Sequence, residues 1–566
     1  MRESAPRRGR AAVVLAALGL ATAMGQTARS IVDLQPARRS ESVVVQEPAG
    51  PRVTLTLTQL NPAINAWLLL SVQRPPGAEA ERFHLENADP ARQRLTLDAA
   101  HPGQIEITTG ARSTRCTLWP GDALAQARRQ KLPYAPLCDG RVYLRNTVQG
   151  NRTTLEATTE FLRDHVWRGE QIIGFVRREL YQDAFIERAT PALAADAAPP
   201  APRGAPAPAR MAASAARQAL QAEGLGIDLG LRGAGMWPGR WYAAAGLEGI
   251  FVSAVQAGSV EGAGPAARPL DPVEATALSY LVAFDLASFD LGFALGTEHP
   301  RLGWSARVPD ELRDAAGPGP DGIESAAPLV RTGMVAPALE ARVVATFTGG
   351  FKREHGAFRH GALAAAHRGS HYGFIEQGVV FSTLVPGLST LYVLDDGQVG
   401  MTTWRPDDDR LLGRIRHARQ NGVPLIERDP AGGVPRPGAL VDQWGAGNWS
   451  GSSDEKLRTL RAGACLLEGP GGRRHLVYGY FSSATPRAMA RVFGAYGCSE
   501  AMHLDMNALE HTYLALYPRR GAQLGVEHLV TGMSVLDKSV GPALVPRFLG
   551  FADDRDFFYL VRKDSP

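Results

Sequence analysis

Residues 485–505 read TPRAMARVFGAYGCSEAMHLD, and their reading decides the fold class. Thr485 is a good N-cap and Pro486 suits a first helical turn. Met489, Val492, Phe493 and Tyr496 recur at i, i+3, i+4 and i+7, which draws one apolar stripe along a helix. Gly497 can close that helix in the left-handed conformation. Residues 501–505 (AMHLD) then read as a short buried strand ending in a carboxylate. A capped helix followed by an apolar strand places α and β structure in one domain, and loops at strand ends commonly carry function.

Working outward, the same half of the chain alternates strand and turn signals. Residues 280–296 (YLVAFDLASFDLGFALG) read as two strands joined by a short turn, and 343–347 (VVATF) as a buried strand ending at Gly349-Gly350. In 390–404, Asp396-Gly397 separates two apolar runs, a strong hairpin signal. Gly469-Pro470-Gly471-Gly472 marks a second hairpin. The N-terminal half differs. Residues 52–58 (RVTLTLT) alternate polar and apolar side chains, as a half-buried strand does, and 94–98 and 104–108 are similar. Residues 153–168 have helical character. The fold class expected is α+β, with a mixed-sheet C-terminal domain preceded by a β-rich accessory domain.

The domain boundaries follow from composition. Residues 1–28 read as a signal peptide: Arg2, Arg7, Arg8 and Arg10 precede the apolar run 11–25. That run is short of the roughly 20 residues that span a bilayer, although an uncleaved anchor is the alternative. Residues 40–186 form the accessory domain. Residues 187–220 are rich in Pro and Ala, which points to an extended linker, with a short helix expected over 211–222. Residues 221–566 form the C-terminal domain, its core at about 275–520.

The chain has 566 residues and a formal net charge of +4, but the basic leader supplies most of the excess. Nucleic-acid partners, which call for a strongly basic face, are therefore excluded. No long apolar run follows the leader, so no membrane span is expected after its removal. The localisation expected is exported, periplasmic or extracellular. Four cysteines in an exported chain favour disulfides, and pairing within each domain gives Cys116–Cys138 and Cys465–Cys498; four buried thiols are the alternative. The nucleophile elbow and the phosphate-binding loop are absent from the sequence, and the G-x-G-x-x-G spacing at 317–322 (GPGPDG) is a proline-rich loop that is no dinucleotide fingerprint.

Four segments in order resemble the phosphodiester glycosidase family. They are Thr348-Gly349-Gly350-Phe351 after a strand, Arg419-Gln420-Asn421 before Pro424-Leu425-Ile426, Arg461-Ala462-Gly463-Ala464, and the helix at 486–496 followed by Ala501-Met502-His503-Leu504-Asp505. The resemblance covers about residues 275–520. It implies an α+β domain that hydrolyses a sugar-1-phosphodiester at the glycosidic C1–O bond, on a glycan or sugar-phosphate substrate of the cell envelope. Many members follow Leu-Asp with a glycine-rich stretch. Here Met506-Asn507-Ala508-Leu509-Glu510-His511-Thr512 follows, so a non-catalytic glycan-binding protein is the alternative.

The chemistry sets the candidate residues. An oxocarbenium-like centre needs a carboxylate, and a phosphate leaving group needs cations or amide donors. Asp505, Glu510 and His511 are the catalytic candidates. Gly349, Gly350, Arg419, Gln420, Asn421, Arg461 and Asn507 are the substrate-binding candidates. For each, a cap, a tight turn or an ion pair is the structural alternative. No cofactor is required. Calcium at Asp505 and Asn507, or a metal at His355, His360, His367 and His371, lacks a recognisable ligand spacing.

Overall fold

The computed structural model describes residues 30–564 except 48–49, 75–77, 167–182, 192–198, 216–217, 232–234, 263–268, 305–309, 314–316, 320, 353–371, 429–432, 442–457, 522 and 542. The leader and the histidine tract lie outside the described residues.

Alternation drives the N-terminal sheet. In the strand Arg52–Gln59, Val53, Leu55 and Leu57 are buried while the threonines between them are half-exposed. It lies second in a six-stranded sheet ordered Arg39–Gln46, Arg52–Gln59, Trp67–Gln73, Glu81–Asn87, Val142–Arg145 and Tyr134–Leu137. A three-stranded sheet, Gln93–Leu97, Gln104–Thr109 and Arg112–Thr117, closes its core. The Cys116–Cys138 disulfide lies beside that core.

The C-terminal half carries an eight-stranded sheet, in the order Tyr242–Ala243, Ile250–Gln256, Leu278–Asp285, Arg474–Ala484, Thr459–Glu468, Glu500–Met506, Ile426–Glu427 and Arg436–Pro437. The helix Pro486–Tyr496 packs on one face, with Met489, Val492, Phe493 and Tyr496 against Val477, Phe481 and Cys465. Its ends are those expected: Thr485 Oγ1 accepts from Ala488 N, and Gly497 is left-handed at φ 84°. The sheet makes room for it with Gly463 and Gly479, which pair across the ladder; a Cβ on Gly463 would lie 2.8 Å from Met489 Cε. Cys465 and Cys498 form the second disulfide beneath this helix.

The opposite face enters a larger core. Ala462, Ala464, Tyr478, Tyr480, Met502 and Leu504 meet Phe347 and Phe558 there. Those two rings belong to a five-stranded sheet of Phe289–Ala294, Phe557–Arg562, Val343–Thr348, Leu514–Leu516 and Glu527–His528. The two strands expected within 280–296 are present as Leu278–Asp285 and Phe289–Ala294, but they do not pair: the bend between them carries the chain from one sheet to the other. A third sheet holds the Asp396-Gly397 hairpin, Ser389–Leu394 with Val399–Thr403.

Two expectations change. Every ladder between named strands is antiparallel, where a mixed sheet was expected: the helix Pro486–Tyr496 does cross over from Arg474–Ala484 to Glu500–Met506, but those two strands do not pair with each other, because Thr459–Glu468 lies between them and pairs antiparallel with both. The described part of the Pro/Ala segment is extended but packed. Ala209 N donates to Gly239 O and Arg210 N to Ala495 O, both at 2.9 Å. Met211 bridges to Val260, and Leu220–Gln221 pairs with Thr190–Pro191, so the described residues of 211–222 pair with neighbouring backbone and form no helix.

The two halves share contacts. Trp67 and Leu60 join the large C-terminal core, Tyr134 Oη donates to Met334 O at 3.0 Å, and Arg145 Nε donates to Val330 O at 3.0 Å. Among the described residues, no helix is long and apolar enough to cross a membrane.

Candidate functional site

Asp505 is the sixth residue of the strand Glu500–Met506. Alternation sends Met502, Leu504 and Met506 into the large core, which leaves His503 and Asp505 on the other face. The segment that follows Val343–Thr348 crosses this strand. Phe351 packs against the His503 ring at 4.7 Å, and Asn421 staples the crossing: Phe351 N donates to its Oδ1, while its Nδ2 donates to His503 O and Leu504 O.

At Asp505, Oδ1 accepts from Met506 N at 2.8 Å and Oδ2 from Arg555 Nη1 at 2.7 Å. The residue is 7% exposed. Burial pushes its carboxyl up to about 6, against the pull of Arg555. The other arm of the same guanidinium, Nη2, donates to Glu156 Oε1 at 2.7 Å. Lys352 Nζ lies 3.0 Å from that oxygen and also touches Glu160. Burial opposes the charge on Glu156, but Arg555 and Lys352 outweigh it and hold the carboxyl well below its ordinary range.

The loop after Asp505 turns through Asn507 at φ 83°, a left-handed conformation that Asn tolerates. Its Oδ1 accepts from Thr459 Oγ1 at 3.2 Å. His511 Nδ1 faces Met506 O at 2.7 Å, so Nδ1 carries the proton; burial, and then Arg555, keep the ring neutral. Glu510 is buried, with Oε1 3.4 Å from Thr153 Oγ1. Asp505, Asn507, Glu510 and His511 therefore gather at one end of the strand. The Asp505 and Asn507 oxygens considered for calcium are both engaged by the donors just named.

The arginines differ from expectation. Arg419 is fully buried and does not reach Asp505. Its Nε donates to Asp556 Oδ2 at 2.7 Å, Nη2 to Phe351 O at 2.7 Å and Nη1 to Gln420 O at 2.5 Å. Gln420 accepts from Gly373 N and Val385 N and donates to Val385 O. Both residues lock loops rather than present donors. Gly349 and Gly350 serve the same packing, since a Cβ at Gly349 would lie 2.4 Å from Asp556 Oδ2 and one at Gly350 2.8 Å from Asn421 Oδ1. Arg461 is nearer the site. Its Nε donates to Ala484 O at 2.7 Å, and Nη1 lies 3.3 Å from His503 Nε2, beside the strand that carries Asp505.

Sequence reasoning missed most of the charged groups. Asp553, Asp554, Arg555 and Asp556 are consecutive and almost fully buried, and each meets a different partner: Arg547, Arg152, Asp505 with Glu156, and Arg419. A run of four charges directly before the apolar Phe557–Arg562 was the available signal. Glu156 and Glu160 lie on the helix Thr154–His165, in the half where no chemistry was expected.

No family model matches this chain, and no curated protein matches it. Among solved structures, a "putative exported protein" from Burkholderia pseudomallei K96243 is similar over 50% of this chain and 74% of its own, with 9% identity and a TM-score of 0.23. A hypothetical protein from Synechocystis is similar over 92% of this chain and 98% of its own, with 10% identity and a TM-score of 0.24.

Proposed function

We propose that the chain is an exported hydrolase that cleaves a sugar-1-phosphodiester at the Asp505 site. The observation that carries this reading is a carboxylate at the end of a central strand, gripped by Arg555 and neighboured by Lys352 and neutral His511. Ionised Asp505 stabilises positive charge developing at the anomeric carbon, or takes a proton from the attacking water. The C1–O bond breaks, water supplies the new C1 hydroxyl, and the phosphomonoester leaves with the bonding electron pair. Arg555 and Lys352 are the cations nearest this chemistry, and they take the phosphate-holding role first expected of Arg419 and Arg461. Two disulfides favour an oxidising compartment and hence export.

A second reading, a glycan-binding protein without activity, is favoured by the burial of Asp505 and by the engagement of both its oxygens. Hydrolysis of a panel of sugar-1-phosphodiesters by the full chain decides between them. Under the first reading the parent turns over, kcat/KM rises with pH through about 6 as Asp505 ionises, and Asp505→Asn loses turnover far more than binding. Equal rates for parent and Asp505→Asn would remove the catalytic assignment. Binding without turnover across the panel would favour the second reading.

A further inference from the structure

Glu156 and Glu160 stand at i and i+4 on one face of the helix Thr154–His165, which Thr153 caps by accepting from Glu156 N. Across from them is His299. One ligand atom from each of the three lies within 4.8 Å of the others. Around a tetrahedral zinc, with bonds of about 2.0 Å, such atoms sit about 3.3 Å apart, so small side-chain rotations would close the set.

Two further observations point to a missing occupant. Glu156 Oε2 and His299 Nδ1 are buried with no hydrogen-bond partner, in residues 5% and 3% exposed. Asp554 Oδ1 beside them is equally unpartnered, and Asp554 Oδ2 lies 3.9 Å from His299 Nε2. Orphaned polar atoms of this kind are costly when buried. The cluster is densely charged. Around the direct ion pairs, Arg152, Lys352 and Arg555 contact the five carboxylates Glu156, Glu160, Glu298, Asp505 and Asp554, while Arg301 and Arg331 also act on His299 from nearby.

We propose that Glu156, Glu160 and His299 bind one divalent transition-metal ion of the zinc class. One imidazole with two carboxylates is a mixed nitrogen and oxygen donor set, which suits zinc better than the all-oxygen shell of calcium or magnesium. Lys352 Nζ sits on the same two glutamates and supplies one positive charge there. The ion supplies two, so ion and lysine compete for the pair. The site adjoins the one proposed at Asp505, because Lys352 contacts both glutamates and Arg555 joins Glu156 to Asp505, but metal uptake does not depend on that reaction and is tested without substrate.

The test is titration of the full chain, stripped with chelator, with Zn2+, Mn2+ and Ca2+ by calorimetry, and metal content by mass spectrometry after dialysis. One equivalent of Zn2+ is expected, with Ca2+ bound at least tenfold more weakly. His299→Ala and Glu160→Gln should each weaken Zn2+ at least tenfold, while Lys352→Met should tighten it. Glu160 is part-exposed, so Glu160→Gln tests the site even if the buried histidine variant folds poorly. No stoichiometric uptake would overturn the proposal. So would uptake that survives both ligand variants but vanishes when His355, His360, His367 and His371 are replaced.

Discussion

Arg419→Lys should cost stability rather than substrate affinity. The guanidinium satisfies three buried acceptors at once: the Asp556 carboxylate and the carbonyls of Phe351 and Gln420. It also lies 4.5 Å over the Phe374 ring. An ammonium keeps the charge but lacks the planar fork, so it can hold Asp556 while one or both carbonyls are stranded. A hydrogen bond to a charged group contributes about 1.5–3 kcal/mol, so the lysine variant should lose about 2–4 kcal/mol. Arg419→Met leaves Asp556 as an uncompensated charge, 1% exposed, and should lose about 3–5 kcal/mol. The assay is urea unfolding of the full chain followed by near-ultraviolet circular dichroism. At a slope of about 3 kcal/mol per M, the lysine midpoint should fall by roughly 1 M. Asp556→Asn measured alone and with Arg419→Met should show strong coupling, because the two partners are in direct contact. An unchanged midpoint for Arg419→Lys, together with weakened substrate binding, would refute this reasoning and restore Arg419 as a ligand.

Further outcomes follow from other contacts. Replacing Cys465 and Cys498 by alanine opens a loop with a sequence separation of 33, and should cost about 4 kcal/mol on the chain-entropy account; an unchanged melting temperature would contradict it. Burial pushes Glu376 up to about 8, opposed by Arg145, so the folded state keeps its proton where the unfolded chain loses it near 4.5. Stability from this group is full below about 4.5 and is lost as pH rises to about 8, and Glu376→Gln should flatten that fall in denaturant midpoints measured across the window. Trypsin should spare the Arg210–Met211 bond in the folded chain, since Arg210 N donates to Ala495 O and Arg210 O accepts from Glu261 N; early cleavage there would mean the Pro/Ala segment is unpacked.

Local signals were enough where the physics is local. The capped helix over 486–496, the strand that ends near Asp505, the hairpins at Asp396-Gly397 and 469–472, and the period-2 burial of Arg52–Gln59 all follow from propensity, caps and alternation within a dozen residues. Cysteine parity and proximity along the chain led to both disulfides. What a buried polar group does depends instead on partners far away in sequence. Arg419 reads equally well as a phosphate ligand or a structural clamp until Asp556, 137 residues on, is seen to hold it. Glu156 drew no reading from the sequence beyond lying in a helical stretch, yet Arg555, 399 residues away, draws it to Asp505. The Pro/Ala segment was extended by composition, but only the strand edges and helix end beside it decided that it would be packed. Composition and periodicity report the conformation of a few residues, whereas the cost of burying a charge is settled by whichever opposite charge the tertiary fold brings within hydrogen-bond reach.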